Sequence, residues 1–143
     1  MAVKAAQILH ASSVAIAGRG LLILGPAGSG KSSLALKLMA YGARLVSDDR
    51  TALTDTGTGV EISCPADAIR GLIEARGIGI LRVEPSGPVP LALVVDLGET
   101  ETRRVPPLRH TSLPGYELPL VLRSQNPHLA EGLLALMTGA RQE

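Results

Sequence analysis

The sequence contains no phenylalanine and no tryptophan, and tyrosine occurs only at Tyr41 and Tyr116. We therefore expect a core built from Leu, Ile, Val and Ala. The same lack removes the aromatic surfaces on which proteins stack single-stranded nucleic acid. Lys and Arg total 14 against 13 Asp and Glu, without a long basic run. A chain of this charge has no general affinity for phosphate backbones, so we expect no nucleic-acid partner.

Cysteine and long apolar runs are also scarce. Cys64 is the single cysteine, which excludes an internal disulfide and fits a reducing compartment. No stretch approaches the roughly 18 apolar residues of a membrane span, and the first residues lack the apolar region of a signal peptide. The sequence predicts a cytoplasmic protein with no membrane contact. Its 143 residues predict one domain, residues 1–143.

What is present is a glycine-rich segment that fits the pattern G-x-x-x-x-G-K-[ST] at every fixed position. It reads Gly25-Pro26-Ala27-Gly28-Ser29-Gly30-Lys31-Ser32. The apolar residues 20–24 before it predict a buried strand. Residues 33–40 after it predict a helix closed by Gly42. A strand and a helix on either side make a chance glycine-rich turn the weaker interpretation.

This pattern indicates a phosphate-binding loop. Glycines let successive backbone N–H groups point into one cavity at a helix N-terminus, which is an anion site. Lys31 adds a mobile positive charge for the β- and γ-phosphates of a nucleotide. The Ser32 hydroxyl is a hard oxygen ligand suited to magnesium. The segment therefore predicts binding of ATP with Mg²⁺.

The remaining patterns predict an α/β chain with a mixed sheet. Residues 12–16 read as a strand joined to 20–24 by a tight turn, so the strand that leads to the loop belongs to a β-hairpin. A second hairpin is predicted through 55–59, and further strands at 43–46, 80–83, 91–96 and 118–122. Helices are predicted over about 66–73 and from Asn126-Pro127 to Met137. Residues 98–107 read as an exposed loop.

Two acidic residues, Asp48 and Asp49, follow the strand 43–46. Acidic groups at such a strand end meet Mg²⁺ or a nucleophile in α/β folds, whereas the plain alternative is a solvated turn. His10, Glu74 and Arg76 carry less information on their own. Spacing alone favours a surface histidine and an exposed ion pair.

Four segments together resemble the catalytic domain of bacterial HPr kinase/phosphorylase. The most specific is residues 74–80, which fits the family pattern E-x-R-G-[IL]-G-[IL]. The order and spacing of the four agree with the family, and the resemblance covers about residues 9–95. The segments are Leu9-His10-Ala11, residues 25–32, Leu45-Val46-Ser47-Asp48-Asp49-Arg50 and Glu74-Ala75-Arg76-Gly77-Ile78-Gly79-Ile80.

The resemblance implies a P-loop kinase domain similar to phosphoenolpyruvate carboxykinase, with a mixed sheet and a hairpin-fed phosphate loop. It implies phosphorylation of a serine on the phosphocarrier protein HPr, and in many members removal of that phosphate by phosphorolysis. The implied catalytic residues are His10, Lys31, Asp49 as base, and Arg104, with Arg103 as the alternative to Arg104. The implied magnesium ligands are Ser32 and Glu74, and we add Asp48 to them.

Departures from the family limit the resemblance. The family has a glutamate where this chain has Ser33, and residues 122–126 are at best a shortened form of the loop linked to dephosphorylation. We expect a catalytic-domain-only form, without the N-terminal domain of long members. We therefore expect kinase activity to dominate over weak phosphorolysis, and we expect a homo-oligomer because the family forms hexamers. The competing interpretations are a small-molecule kinase or NTPase, and a nucleotide-sensing regulatory module.

Overall fold

The computed structural model describes residues 7–113 and 115–142, which form strands and helices in a mixed order. Two helices are present in this part, α1 (Lys31–Ala40) and α2 (Leu129–Thr138), with a single 3₁₀ turn at Asp67–Ile69. The strands are β1 (Gln7–Leu9), β2 (Ser12–Ile16), β3 (Arg19–Leu24), β4 (Arg44–Ser47), β5 (Thr51–Asp55), β6 (Val60–Ser63), β7 (Leu72–Ala75), β8 (Gly79–Arg82), β9 (Val89–Thr100), β10 (Arg109–Leu113) and β11 (Tyr116–Arg123). Neither helix is long and apolar enough to cross a membrane within this described part.

Nine strands form one mixed sheet, with the order β1-β5-β6-β9-β3-β2-β4 along its main path. The pairs β3–β9 and β9–β11 are parallel, and the other pairs in this sheet are antiparallel. Strands β7 and β8 form a separate two-stranded sheet. The prediction of an α/β chain with a mixed sheet is confirmed.

The long strand β9 organises this sheet. Its central residues face β3, with Leu22 opposite Val94 and Leu24 opposite Asp96. Its start pairs with β6 at Val89 and Pro90, and its later part pairs with β11 from Val94 onward. Both β6 and β11 therefore pair with β9, at successive places along the strand. β9 thus connects the β1, β5 and β6 strands to the β10–β11 hairpin.

The predicted β2–β3 hairpin is confirmed. Its strands pair from Ser12 opposite Ile23 to Ile16 opposite Arg19. The two turn residues, Ala17 and Gly18, have φ angles of 52° and 76°. Two positive φ angles in a two-residue loop match the twist of the flanking strands. The chain thus enters β3, and then the glycine-rich loop, from an antiparallel neighbour.

Aliphatic side chains fill the interior on both faces of the sheet, as the absence of Phe and Trp predicts. One cluster lies under the two helices and includes Leu21, Ile23 and Leu38. The other includes Leu22, Ile62 and Val94. Neighbouring residues of β3 belong to opposite clusters because side chains alternate along a strand. β3 is buried on both faces, so the point where it ends is rigidly fixed.

The helix predicted over about 66–73 is wrong. A single 3₁₀ turn is present, and the chain then enters β7, in which Ile73 and Ala75 are buried and Glu74 is exposed. Gly71 explains the break, since its φ is +75° and a Cβ there would meet the Val83 carbonyl oxygen at 2.8 Å. This backbone conformation and close approach require glycine and end the helical turn.

Other elements also differ from the predictions. The loop predicted over 98–107 begins later, because β9 continues to Thr100. Strand β10 was not predicted, although its partner β11 contains the predicted strand 118–122. Helix α2 begins at Leu129 rather than at Pro127, with His128 at the N-cap. Exposure alternates along β10. The corresponding alternation of apolar and polar residues in the sequence is weak, so it did not predict a strand.

Candidate active site

The glycine-rich loop connects the end of β3 to the start of α1. Gly30 is the N-cap of α1 with φ 102°, and no side chain of the described residues caps the helix. The first helical hydrogen bond runs from the Leu34 N–H to the Gly30 carbonyl at 2.9 Å. The N–H groups of the first turn, before Leu34, therefore have no acceptor within the helix. They form a partial positive charge at the mouth of the loop.

Contacts from two distant strands hold this loop. At Gly25, with φ 152°, a Cβ would lie 2.4 Å from Ser29 Oγ and 3.2 Å from Leu97 Cβ, so only glycine fits. The Arg123 guanidinium donates to the Ser29 carbonyl and, at 3.2 Å, to the Leu97 carbonyl. Sequence reasoning assigned Arg123 no role, and its place in the segment 122–126 was the only signal available.

Lys31 folds back on the loop that precedes it. Its Nζ donates to the Gly25 carbonyl at 2.8 Å and to the Pro26 carbonyl at 3.3 Å. The ammonium group is half-buried at the edge of the cleft. It is thus already positioned beside the open N–H groups of α1, where it adds a full positive charge.

Asp48 receives hydrogen bonds from three separate elements. The Ser32 hydroxyl donates to its Oδ1 at 2.7 Å, and the Ser12 hydroxyl donates to the same oxygen at 2.8 Å. The Glu74 N–H donates to Oδ2 at 3.2 Å. The carboxylate therefore joins α1, β2 and β7. Sequence reasoning placed Ser32, Asp48 and Glu74 in one site, and the structure brings them together.

Asp49 has a different geometry from its neighbour. Its φ is +67°, in the left-handed region that few side chains adopt. Its N–H donates to the Ser12 hydroxyl at 3.2 Å, and its side chain is 68% exposed, with Oδ1 3.9 Å from His10 Nδ1. The turn thus directs one carboxylate inward and the other toward solvent. His10 and Asp49, which the resemblance named separately as catalytic residues, lie side by side.

A cleft of about 330 Å³ joins these groups. Glu74 and Arg76, which form an ion pair at 3.6 Å on the β7–β8 hairpin, reach its wall. Its lining residues are Ala27, Gly28, Gly30, Lys31, Ser32, Ser33, Leu36, Asp48, Asp49, Glu74 and Arg76. The cleft therefore has Lys31 on the loop and, beside it, an acidic wall of Asp48, Asp49 and Glu74, in which Glu74 is paired with Arg76.

The structure places Arg103 and Arg104 elsewhere. Both line a second cleft of about 500 Å³, together with Arg109 and His128, and neither lines the cleft at the glycine-rich loop. Of the predicted catalytic residues, Arg104 is thus the one that the fold does not bring to Lys31 and Asp49. The segment 101–108 that carries it has no regular secondary structure.

A largely buried ion pair lies beside this second cleft. Arg109 Nε donates to Glu101 Oε1 at 2.8 Å, and Arg109 Nη2 donates to Oε2 at 3.1 Å. Only 12% of the Glu101 side chain and 33% of the Arg109 side chain are exposed. These hydrogen bonds lower the pKa of Glu101 and raise the pKa of Arg109. The pair fixes the start of the segment that carries Arg103 and Arg104.

Within the described residues, no three His, Cys, Asp or Glu side chains cluster in a way that could hold a metal ion by themselves. The predicted magnesium ligands number two carboxylates and one hydroxyl, Asp48, Glu74 and Ser32. Magnesium is usually held by one or two carboxylates together with substrate phosphates. The oxygen ligands at this cleft therefore match a magnesium site that is completed by substrate phosphates.

Comparison with known proteins gives the family. The model of the HPr serine kinase C-terminal domain matches residues 2–86. The chain belongs to this family. Among curated relatives, the HPr kinase/phosphorylase of Stenotrophomonas maltophilia (strain K279a) is 46% identical over 77 residues, 53% of this chain and 24% of that protein. The HPr kinase/phosphorylase of Chloroherpeton thalassium is 41% identical over 78 residues, 54% of this chain and 23% of that protein.

A solved structure extends the similarity beyond the matched residues. The HPr(Ser) kinase/phosphatase of Coxiella burnetii superposes with a TM-score of 0.77 at 27% identity, covering 92% of this chain and 88% of that chain. The mixed α/β fold is therefore that of an HPr kinase structure, which confirms the resemblance given by the four segments. The sequence alignments span about a quarter of the curated relatives, which are named as enzymes.

Proposed function

We propose that this chain is an ATP-dependent protein serine kinase that phosphorylates the phosphocarrier protein HPr. The observation that carries the proposal is the shared cleft, in which the glycine-rich loop at the α1 N-terminus faces Asp48, Asp49 and Glu74. Family membership supplies the substrate class, because the matched family and relatives are named for HPr.

The residues at the loop fit the phosphates of a nucleotide. Among residues 7–113 and 115–142, no side chain caps the α1 N-terminus. A Cβ at Gly28 or Gly30 would meet none of their atoms within 4 Å, so the approach to the backbone is open. The Ser29 hydroxyl is buried without a hydrogen-bond partner among the described residues. Unused N–H groups, an open backbone and a lysine are the features that a P-loop requires.

The acidic wall fits magnesium. Ser32, Asp48 and Glu74 offer the hard oxygen ligands that Mg²⁺ takes in kinases, with the remaining positions left to phosphate and water. When bound, the ion neutralises charge on the phosphates during transfer. Asp48 already bonds Ser32 at 2.7 Å, so the two oxygen ligands are positioned in advance. We assign Ser32, Asp48 and Glu74 this role.

The remaining chemistry falls to the side chains of the loop and the Asp49 turn. Lys31 and the first N–H groups of α1 stabilise negative charge on the transferring phosphoryl group. A serine hydroxyl is a weak nucleophile, and an exposed carboxylate can accept its proton as the new bond forms. Asp49 is that base in our proposal, because its side chain is 68% exposed and faces the cleft. His10, 3.9 Å away, stabilises the charge of this carboxylate or receives its proton.

Arg104, with Arg103 as the alternative, stays a proposed catalytic residue that must approach from the segment 101–108. Movement of that segment, or contribution from a second copy of the chain, would bring it to the cleft. We propose a homo-oligomer, which a molar mass well above the 14.8 kDa of one chain would support. A cytoplasmic location is part of the same proposal, since Cys64 is free and HPr is the proposed partner.

The reverse reaction is proposed to be weak. The loop linked to dephosphorylation has no clean counterpart in the segment 122–126, and the Arg123 guanidinium of that segment donates to the Ser29 and Leu97 carbonyls. Release of pyrophosphate from phosphoserine-HPr and inorganic phosphate, without ATP, should be slower than the forward reaction. Equal rates in the two directions would contradict this part of the proposal.

The deciding experiment is incubation of the chain with ATP, Mg²⁺ and purified HPr, followed by intact mass of HPr. The expected result is a single added phosphoryl group on a serine, absent without Mg²⁺. ATP hydrolysis with unmodified HPr would favour an NTPase or a small-molecule kinase. Nucleotide binding without any turnover would favour a regulatory module.

A further inference from the structure

We infer that Ser12 is a positioning residue for the proposed base, Asp49. The inference rests on the proposed function for its kinetic test, although its structural part can be tested without it. Ser12 is 0% exposed and lies at the start of β2. Its hydroxyl bonds to both aspartates of the turn that follows β4.

One hydroxyl thus makes two different bonds. Ser12 Oγ donates its proton to Asp48 Oδ1 at 2.8 Å and accepts the Asp49 N–H at 3.2 Å. A hydroxyl has one donor and two acceptor positions, so it can make both bonds at once. Alanine can make neither. No apolar residue of the same size substitutes for this bridge.

The two aspartates depend on the bridge to different degrees. Asp48 keeps two other donors, the Ser32 hydroxyl at 2.7 Å and the Glu74 N–H at 3.2 Å. The bond to Ser12 is the hydrogen bond that the described residues provide for the Asp49 N–H. Loss of the hydroxyl should therefore leave Asp48 in place and release Asp49.

Release matters at Asp49 because its backbone is strained. A φ of +67° costs a non-glycine residue free energy and persists only where the surroundings impose it. The imposed conformation directs the Asp49 side chain away from Asp48 and toward His10. Without the bond to Ser12, the turn can relax to a negative φ and rotate the carboxylate away from the acceptor hydroxyl. A base that is misplaced by a fraction of an ångström loses rate rather than nucleotide affinity.

The first test compares Ser12→Ala with Ser13→Ala. Ser13 is also 0% exposed and is the next residue on β2, but its hydroxyl bonds to Thr51 Oγ1 at 2.9 Å and to neither aspartate. We expect S12A to lower kcat for HPr phosphorylation about tenfold, the scale of one net hydrogen bond, with the KM for ATP changed less than about twofold. S13A should change neither. Equal losses of kcat in both variants would overturn the inference, because they would reflect general damage to β2.

The second test asks whether Ser12 acts through Asp49. In an Asp49→Asn background there is no base to position, so adding S12A should lower kcat by less than about twofold. A further tenfold loss in that background would show that Ser12 acts by another route and would overturn the inference.

A third measurement tests this inference separately from the proposed function. It uses the unmodified chain, so no variant has to fold. The Asp49 amide of the unmodified chain should exchange with solvent deuterons more slowly than the Arg104 amide, since a buried hydroxyl accepts it. Equal exchange rates would overturn the inference even if HPr were phosphorylated. Slow exchange together with no phosphorylation of HPr would support the Ser12 bridge while refuting the proposed function.

Discussion

The Ser32 hydroxyl donates a 2.7 Å hydrogen bond to Oδ1 of Asp48 and joins the first turn of α1 to the turn after β4. The two residues are 16 positions apart in the chain. Because Asp48 also receives the Glu74 N–H, this bond holds the cationic loop and the acidic wall in a fixed relation.

Substitution Lys31→Ala should abolish phosphoryl transfer to HPr and leave the fold intact. Lys31 contacts two loop carbonyls at the surface of the cleft and not the core, so its loss removes charge from the phosphate site without opening a cavity. Transfer is measured by intact mass of HPr, and folding by thermal unfolding. Lys37→Ala is the matched control, because Lys37 lies exposed on the same helix. Normal transfer by a folded K31A protein would refute the proposed role of the loop.

Substitution Asp49→Asn should lower transfer to HPr by about 10²-fold or more, the range of general base catalysis. Asparagine tolerates a positive φ, so the turn at Asp49 should persist and Mg-ATP affinity should change little. The measurements are kcat for HPr and the Kd of Mg-ATP by calorimetry. A parallel loss of nucleotide affinity would instead identify Asp49 as a metal ligand, and no change in either would leave it a solvated turn residue.

Substitution Arg123→Ala should weaken ATP binding. The guanidinium holds the Ser29 and Leu97 carbonyls, and hydrogen bonds from a charged group are worth about 1.5–3 kcal/mol, or roughly 10- to 100-fold in an equilibrium constant. Part of this free energy should appear as a raised Kd for ATP, because the glycine-rich loop is no longer held in one conformation. Arg70→Ala, at an exposed position outside both clefts, is the control. An unchanged Kd in R123A would show that the loop keeps its conformation without this contact.

Substitution Glu101→Gln should lower the free energy of unfolding at neutral pH. In acid, the substitution should make little difference. The Arg109 hydrogen bonds lower the pKa of Glu101 in the folded chain. A lowered folded pKa means that the ionised pair stabilises the fold above the unfolded value, about 4.5, and that this contribution is lost as pH falls through the folded value. Urea midpoints of wild type and E101Q should therefore differ at pH 7 and move closer together as the pH falls below about 4.5. Glu84→Gln, which removes an exposed pair with Arg44, should change the midpoint far less at any pH.

Local sequence patterns were sufficient for the elements that position the glycine-rich loop. A tight turn at Gly18, a continuous apolar run and the G-x-x-x-x-G-K-[ST] pattern predicted β2, β3 and α1 close to their observed bounds. Each of these signals depends on neighbouring residues, because turn geometry and buried periodicity are short-range properties. The same holds for Asp48 and Asp49 at the end of β4.

Contacts between distant residues could not be predicted in this way. Arg123 and Ser29 are 94 positions apart, and nothing in either segment indicates that they meet. The 3₁₀ turn and β7 replaced a predicted helix because Gly71 lies against the Val83 carbonyl, a tertiary contact. Arg104 was placed from sequence order alone, and the fold holds it beside a different cleft. The bridging role of Ser12 was also missed, since a buried serine in a strand has no distinguishing pattern.

The position of β3 between β2 and β9 has a consequence for synthesis of the chain. β2 precedes β3 directly, but the parallel partner of β3 arrives much later, with Leu22 opposite Val94. A nascent chain that has emerged only through α1 contains the whole glycine-rich loop, yet lacks the Leu97 wall and the Arg123 donors that hold it. Such non-local pairings form slowly and leave apolar strands exposed until they close. Until β9 and β11 have emerged from the ribosome, the nascent loop should be unable to retain nucleotide, and β3 should be a segment that chaperones bind.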